Sequence, residues 1–178
     1  MKKCIRLLVE NLFDDLYDID QENNLTIDIA DKIYYNYHPK TKKELEQLLK
    51  QLLEERGPDA DLNDIDTSQI TDMSSLFNSF AFMYDIHKID IRFWDVSNVT
   101  DMSYMFNDCV NFNCDLSSWD VSNVENMNRM FDDCLKFTGK GLENWNVSNV
   151  TDMSHMFFDC KNFNCDLGNW DVSNVRDM

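Results

Sequence analysis

One hexapeptide constrains this chain more than any other feature. W-D-V-S-N-V occurs at Trp94, Trp119 and Trp170 and as W-N-V-S-N-V at Trp145, at steps of 25, 26 and 25 residues. A weaker copy, I-D-T-S-Q-I-T-D-M-S-S-L-F, begins at Ile65, 29 residues before Trp94. Past the tryptophan the unit continues as V-T-D-M-S-Y-M-F-N-D-C-V-N-F from Val99, with matching runs from Val124 and Val150. Such a period is the mark of stacked repeats, in which no unit buries its apolar face alone and neighbours complete the core.

The apolar spacing suggests the architecture. Leu116-x-x-Trp119-x-Val121 fits the L-x-x-L-x-L pattern of a leucine-rich repeat, as do the runs from Leu62, Ile91, Leu142 and Leu167. Alternation at Trp-x-Val puts both side chains on one face of a short strand. Val99, Met102, Met105 and Phe106 then step by three or four, a helical spacing. Asp72, Asp101, Asn126, Asp152 and Asp177 each precede a methionine, where they suit helix N-caps. The expected fold is therefore α/β: a leucine-rich-repeat solenoid of short parallel strands and short helical turns with a helical N-terminal cap.

The run W-D-V-S-N-V-T-D-M-S-x-M-F-x-x-C-x-x-F resembles the BspA-like leucine-rich repeats of bacterial surface proteins, also met in mycoplasma lipoproteins and phage genomes. The stretch H-P-K-T-K-K-E-L-E-Q-L-L-K-Q-L-L-E-E-R-G-P-D-A-D-L-N-D-I-D resembles the cap that leads into such arrays. The resemblance covers residues 38–178. It implies a curved recognition scaffold, adhesion and a place at the cell surface, and no catalytic residues. The longer first unit and its missing tryptophan depart from the pattern.

Three segments follow. Residues 1–37 form a helical or mixed segment: Ile5, Leu8, Val9, Leu12, Phe13 and Leu16 mark an amphipathic helix, while the alternation at Leu25, Ile27 and Ile29 leaves strand and helix both open. Residues 38–61 hold the capping helix, opened by the Thr41-x-x-Glu44 capping box, striped by Leu45, Leu48, Leu49, Leu52 and Leu53, and ended at Gly57-Pro58. Residues 62–178 hold about four and a half repeats, starting near 62, 91, 116, 142 and 167, all in one continuous domain.

Composition excludes several functions. With 43% apolar and 12% aromatic residues the chain is too rich for disorder. Sixteen basic against 33 acidic side chains, a formal charge of −17, suit a phosphate backbone poorly, so no nucleic acid partner is expected. No apolar run approaches the ~20 residues of a membrane span. The N-terminus lacks a secretory h-region, which suggests a cytoplasmic or virion-associated protein. The cysteines recur with the repeat at Cys109, Cys134 and Cys160 and at Cys114 and Cys165. A column of buried thiols is the favoured reading, pairing within a unit the alternative. No singular serine, cysteine or histidine suggests a triad, no C-x-x-C pair suggests zinc, and no enzyme is expected. Gly139 and Gly141 read as a bulge that takes up the extra residue of the 26-residue step.

What remains is the outward face of the strands. Its candidate partner-binding residues are Asp66, Phe93, Asp95, Ser118, Asp120, Asn144, Asn146, Asn169 and Asp171, on the concave side. The column Asp66, Asp95, Asp120, Asn146 and Asp171 is an acidic ladder whose neighbours repel by about 1 kcal/mol in bulk water. Two readings stand: a site for Ca2+ or a basic partner, or Asx turns in which each carboxylate accepts a local N–H. Phe93 is an exposed anchor, or it is covered by Phe82 or Tyr84. No cofactor is required by either reading. The array itself carries 20 of the 33 acidic and 7 of the 16 basic residues, over residues 61–178. The expected function is a non-catalytic interaction or adhesion scaffold recognising a protein with a basic surface, or a glycan. The alternative is a structural assembly component, of a phage particle or a surface layer, self-associating through Trp170, Val172 and Val175 at an open C-terminal edge.

Overall fold

A computed structural model of the chain describes residues 35–178 except 82, 85 and 87. The chain divides into two compact units, Met1–Tyr35 and Asn36–Met178, and the second holds every element described. The expected helix over residues 5–16 and the alternation after Leu25 lie outside the described residues.

The first element is helix α1, Lys42–Arg56. Thr41 Oγ1 accepts the Glu44 N–H at 3.2 Å, and the Glu44 carboxylate reaches back to the Lys40 N–H at 2.7 Å, one residue earlier than a standard capping box. The helix stops at Gly57, whose φ of 75° lets its N–H close on the Leu53 carbonyl. Leu45, Leu49, Leu52 and Leu53 are buried against the first coil. Both helix ends are also tied to that coil. Lys42 reaches Asp72 at 3.2 Å, and the Arg56 guanidinium forks onto Asp64 at 2.8 and 2.9 Å.

The repeats do stack, one coil on the next, but not through a sheet. Among the described residues the parallel pairing consists of isolated bridges: Tyr37 to Ile65, Asp61 to Asp90, and the series Asp72, Asp101, Asn126, Asp152, Asp177. Besides α1 the described residues hold only the one-turn helix α2, Asn78–Ala81, and a 3-10 turn, Leu142–Asn144. The α/β leucine-rich-repeat solenoid with short strands and helical turns expected from the spacing is therefore not what the chain builds.

Backbone hydrogen bonding gives the reason. Where a helical turn was expected, the N–H groups of Met102, Tyr104, Phe106 and Asp108 donate to Asn126, Asn128, Met130 and Asp132 of the next coil, at 2.8–2.9 Å. The intervening N–H groups of Met105, Asn107 and Cys109 close tight turns on Met102, Tyr104 and Phe106. A helix would need all of them directed at carbonyls four residues back. To turn alternate groups outward the chain adopts left-handed backbone at Tyr104 (φ 58°) and Asp108 (φ 62°), repeated at Arg129 and Asp133 and at His155 and Asp159. At Trp-x-Val the neighbouring coils are linked by side chains instead. Trp94, Trp119, Trp145 and Trp170 each donate Nε1–H to a carbonyl of the preceding coil, Leu62, Ile91, Leu116 and Leu142. A short extended piece linked this way makes no strand ladder.

Inside, equivalent residues form columns. Phe77, Phe106, Phe131 and Phe157 stack with centroids 5.2, 5.5 and 5.9 Å apart and nearly parallel planes. Trp119, Trp145 and Trp170 form a second column at 6.4 and 6.5 Å. Phe112, Phe137 and Phe163 form a third, each against the phenylalanine of its own coil at 4.0, 4.2 and 4.3 Å. Such ring pairs add about 0.5–1.5 kcal/mol each beyond their area burial. Val99, Met102 and Met105, with their counterparts, fill the rest of the core. The inserted residue is absorbed at two glycines rather than in a strand bulge. Gly141 has φ 98°, and a Cβ there would lie 2.3 Å from the Ser117 nitrogen.

Trp119 is 4% exposed, stacks on Trp145 and loses an indole hydrogen bond if removed. Trp119→Ala should lower stability by about 3–5 kcal/mol in urea unfolding; near-native stability would contradict this packing.

Candidate functional site

One device recurs at three corners along the stack; the coil of Trp145 lacks it only before Trp-x-Val, where the Gly141 N–H donates to Glu143 instead. At the middle corner Asp66, Asp95, Asp120, Asn146 and Asp171 each accept, through Oδ1, the N–H of the serine two residues on, at 3.0–3.2 Å. At the next corner Asp72, Asp101 and Asp152 accept the N–H of the serine two residues on, and Asn126 that of Asn128, at 2.8–3.0 Å. Asp61, Asp90, Asp115 and Asp166 repeat it before the Trp-x-Val segment, at 2.9–3.2 Å. These are Asx turns, so the acidic ladder matches the turn reading. The residues expected as helix N-caps are turn-formers too. Among the described residues no three His, Cys, Asp or Glu side chains converge to hold a metal ion.

Phe93 stands out on the expected face. It is 54% exposed, with the Arg92 guanidinium carbon 5.5 Å from its ring centre. Arg92 is itself held by a fork onto Asp90 at 3.0 and 2.7 Å. Tyr84 does not cover the ring: it packs on Phe80 and gives its hydroxyl to Glu54. Phe82 lies outside the described residues. Ser118 spends its hydroxyl on the Arg92 carbonyl. Asn144, Asn146, Asn169 and Asp171 come together around one shallow depression of about 340 Å3. Asp66 instead sits 3.1 Å from His38 Nδ1.

The expected assembly edge divides between two surfaces. Trp170 and Val172 line an apolar groove of about 410 Å3 with Met153, Met156, Phe157 and Leu167. Val175 instead lines an open polar groove of about 870 Å3, whose walls are Asn98, Asn123, Asn149 and Asn174 and the column Thr100, Glu125, Thr151 and Arg176. Sequence reasoning missed this groove. Its signal was the recurring Asn and Thr of S-N-V-T, to which the spacing assigned no role.

The five described cysteines are free thiols. Cys134 and Cys160 give their S–H to the carbonyls of Phe106 and Phe131 in the preceding coil. Burial raises both thiol pKa values, that of Cys160 to about 12, which makes them structural rather than nucleophilic.

Six of the turn carboxyls, Asp66, Asp72, Asp90, Asp115, Asp120 and Asp171, titrate low. Hydrogen bonds from Arg92 hold Asp90 at about 2, and those from Lys140 and Ser117 hold Asp115 at about 2, against an ordinary 3.8. Ser122 and Ser173 lower Asp120 and Asp171. A carboxyl depressed on folding contributes stability that is complete above its unfolded pKa and lost as pH falls through the folded one. Tryptophan fluorescence should therefore report a native core above about pH 5 and unfolding between about pH 4 and 2. An acid midpoint above pH 5 would contradict the turn assignment.

No curated protein and no solved structure matches the chain. A family match does exist, over residues 44–141 and 136–178, which takes in most of α1 and every repeat. The chain accordingly belongs to the family described as Mycoplasma protein of unknown function, DUF285.

Proposed function

We propose that this chain is a non-catalytic interaction module that docks a protein partner through the face bearing Phe93. The observation that carries the reading is Phe93 itself, a ring more than half exposed in a grid of Asp, Ser and Asn. Exposed aromatics flanked by fixed polar groups are typical anchors at interfaces. Around it, the Asx turns use Oδ1 of Asp95 and Asp120, which leaves Oδ2 of each to meet a cation. The array's excess of acidic residues favours a partner with a basic surface, through steering more than through contact energy. The likeness of the repeats to those of BspA-like bacterial surface proteins supports an adhesive role.

The test uses basic peptides carrying an aromatic or aliphatic residue, titrated against the chain and against Phe93→Ser. The wild-type chain should bind with an affinity that falls as salt rises. Phe93→Ser should weaken binding by about tenfold or more, near 1.4 kcal/mol, with melting unchanged. Failure of the wild type to bind, or loss of melting temperature in the variant, would remove the anchor role.

A second reading, self-association, is favoured by the apolar groove over Met153, Met156, Phe157, Leu167 and Trp170. An apolar groove of this kind tends to recruit a partner surface. Sedimentation should then show concentration-dependent dimers that Val172→Lys abolishes; a monomer at all concentrations would reject it.

A further inference from the structure

The open polar groove is a surface that the Phe93 reading leaves unused. Two residues per coil face into it, separated by Val99, Val124 or Val150, each fully buried. The four asparagines are held in one orientation. Nδ2 of Asn98, Asn123, Asn149 and Asn174 donates to the carbonyl of Ser68, Ser97, Ser122 and Ser148 in the preceding coil, at 2.9, 2.7, 2.6 and 2.7 Å. An amide fixed through its nitrogen turns its oxygen the other way, and among the described residues none of these Oδ1 atoms accepts a hydrogen bond. Thr100 and Thr151 likewise give their hydroxyl protons to the carbonyls of Thr71 and Glu125, leaving lone pairs free. The groove is thus a row of pre-set acceptors repeating once per coil.

We infer that this groove binds a linear, neutral polysaccharide of β-linked pyranose units lying along the stack. The chemistry calls for a ligand rich in donors, which hydroxyl groups supply. Amides and hydroxyls, rather than a row of carboxylates, suit an uncharged ligand, and the chain's net charge of −17 turns away a polyanion. Spacing separates a sugar from a peptide. The parallel-bridged coils beside the groove recur at about 4.8 Å, close to the advance of one sugar in an extended β-1,4-linked chain. Alternate sugars turn over, so like hydroxyls meet every second coil and the hydroxyls of the opposite ring edge meet the coil between. An extended peptide offers N–H groups on one side only every second residue, about 6.6 Å apart, and drifts out of step within two or three coils. Because the amides are already oriented, little side-chain freedom is lost on binding.

Calorimetric titration of the full chain with β-1,4-linked glucose and N-acetylglucosamine oligomers of increasing length tests this. Affinity should rise with each added sugar until the groove is spanned, and should be insensitive to salt. Glu125→Arg places in mid-groove a side chain that the same column already carries at Arg176, so folding is preserved. It should weaken binding by about tenfold or more with melting unchanged. Phe93→Ser should leave sugar binding intact, which separates this site from the docking face. Three results would overturn the inference: no binding at any length, an affinity independent of length, or equal binding by Glu125→Arg. Salt-sensitive binding of extended basic peptides that Glu125→Arg abolishes would give the groove to a protein instead.

Discussion

The structure depends on the direction in which alternate N–H groups of the M-S-x-M-F-x-D segment point. Directed at the following coil, those of Met102, Tyr104, Phe106 and Asp108 bind each turn of the chain to the next. The same choice forbids a helix and forces left-handed backbone on non-glycine residues, which costs roughly 1–2 kcal/mol apiece. Columns of rings, methionines and valines offset that cost, because a repeating backbone places like side chains over like. The ring planes of Phe106 and Phe131 lie within 3° of each other, and those of Phe131 and Phe157 within 1°.

Acidity follows from the same geometry. Each coil turns several corners, and most are made by an aspartate accepting the N–H two residues on. Charge thus accumulates as a by-product of turn chemistry and need not signal a ligand. Asp133 shows the limit: burial and the neighbouring Asp132, Asp108 and Asp159 raise its pKa above the ordinary value, whereas donors lower those of Asp90 and Asp115. Where a column must vary, asparagine replaces aspartate at Asn126 and Asn146 and keeps the same turn bond.

Much of this could be read in the sequence. The period, the phase of every unit, the inward set of Trp, Val, Met and Phe, the leucine stripe of α1 and its Thr41 and Gly57 ends all follow from spacing and turn chemistry. Conformation within the unit could not. Val99, Met102, Met105 and Phe106 have the spacing of a helical face, yet consecutive tight turns bury the same positions. Periodicity reports which side chains are inside, not the dihedral angles that put them there. The Trp-x-Val alternation likewise reports an extended piece, but not whether its partners are backbone or side chain. At the candidate sites, Phe93 was visible as an aromatic among polar residues. The Asn–Thr groove was not, because its acceptors are set by bonds between residues about 26 apart.

The coil-to-coil links give the chain an unusual tolerance. Among the described residues each repeat bonds to the repeat before and the repeat after it, through positions that the repeats share. Removing or duplicating one whole unit would rejoin equivalent donors to equivalent acceptors and leave every column in phase. A single-residue insertion would instead shift all later columns by one position unless a turn absorbs it, and Gly139 and Gly141 show what that takes: two left-handed glycines, one of them with no room for a methyl group against Ser117. Change in a protein built this way should therefore proceed by gain and loss of entire units. The reach of its grooves, and with it the length of ligand they span, would then vary in steps of one coil.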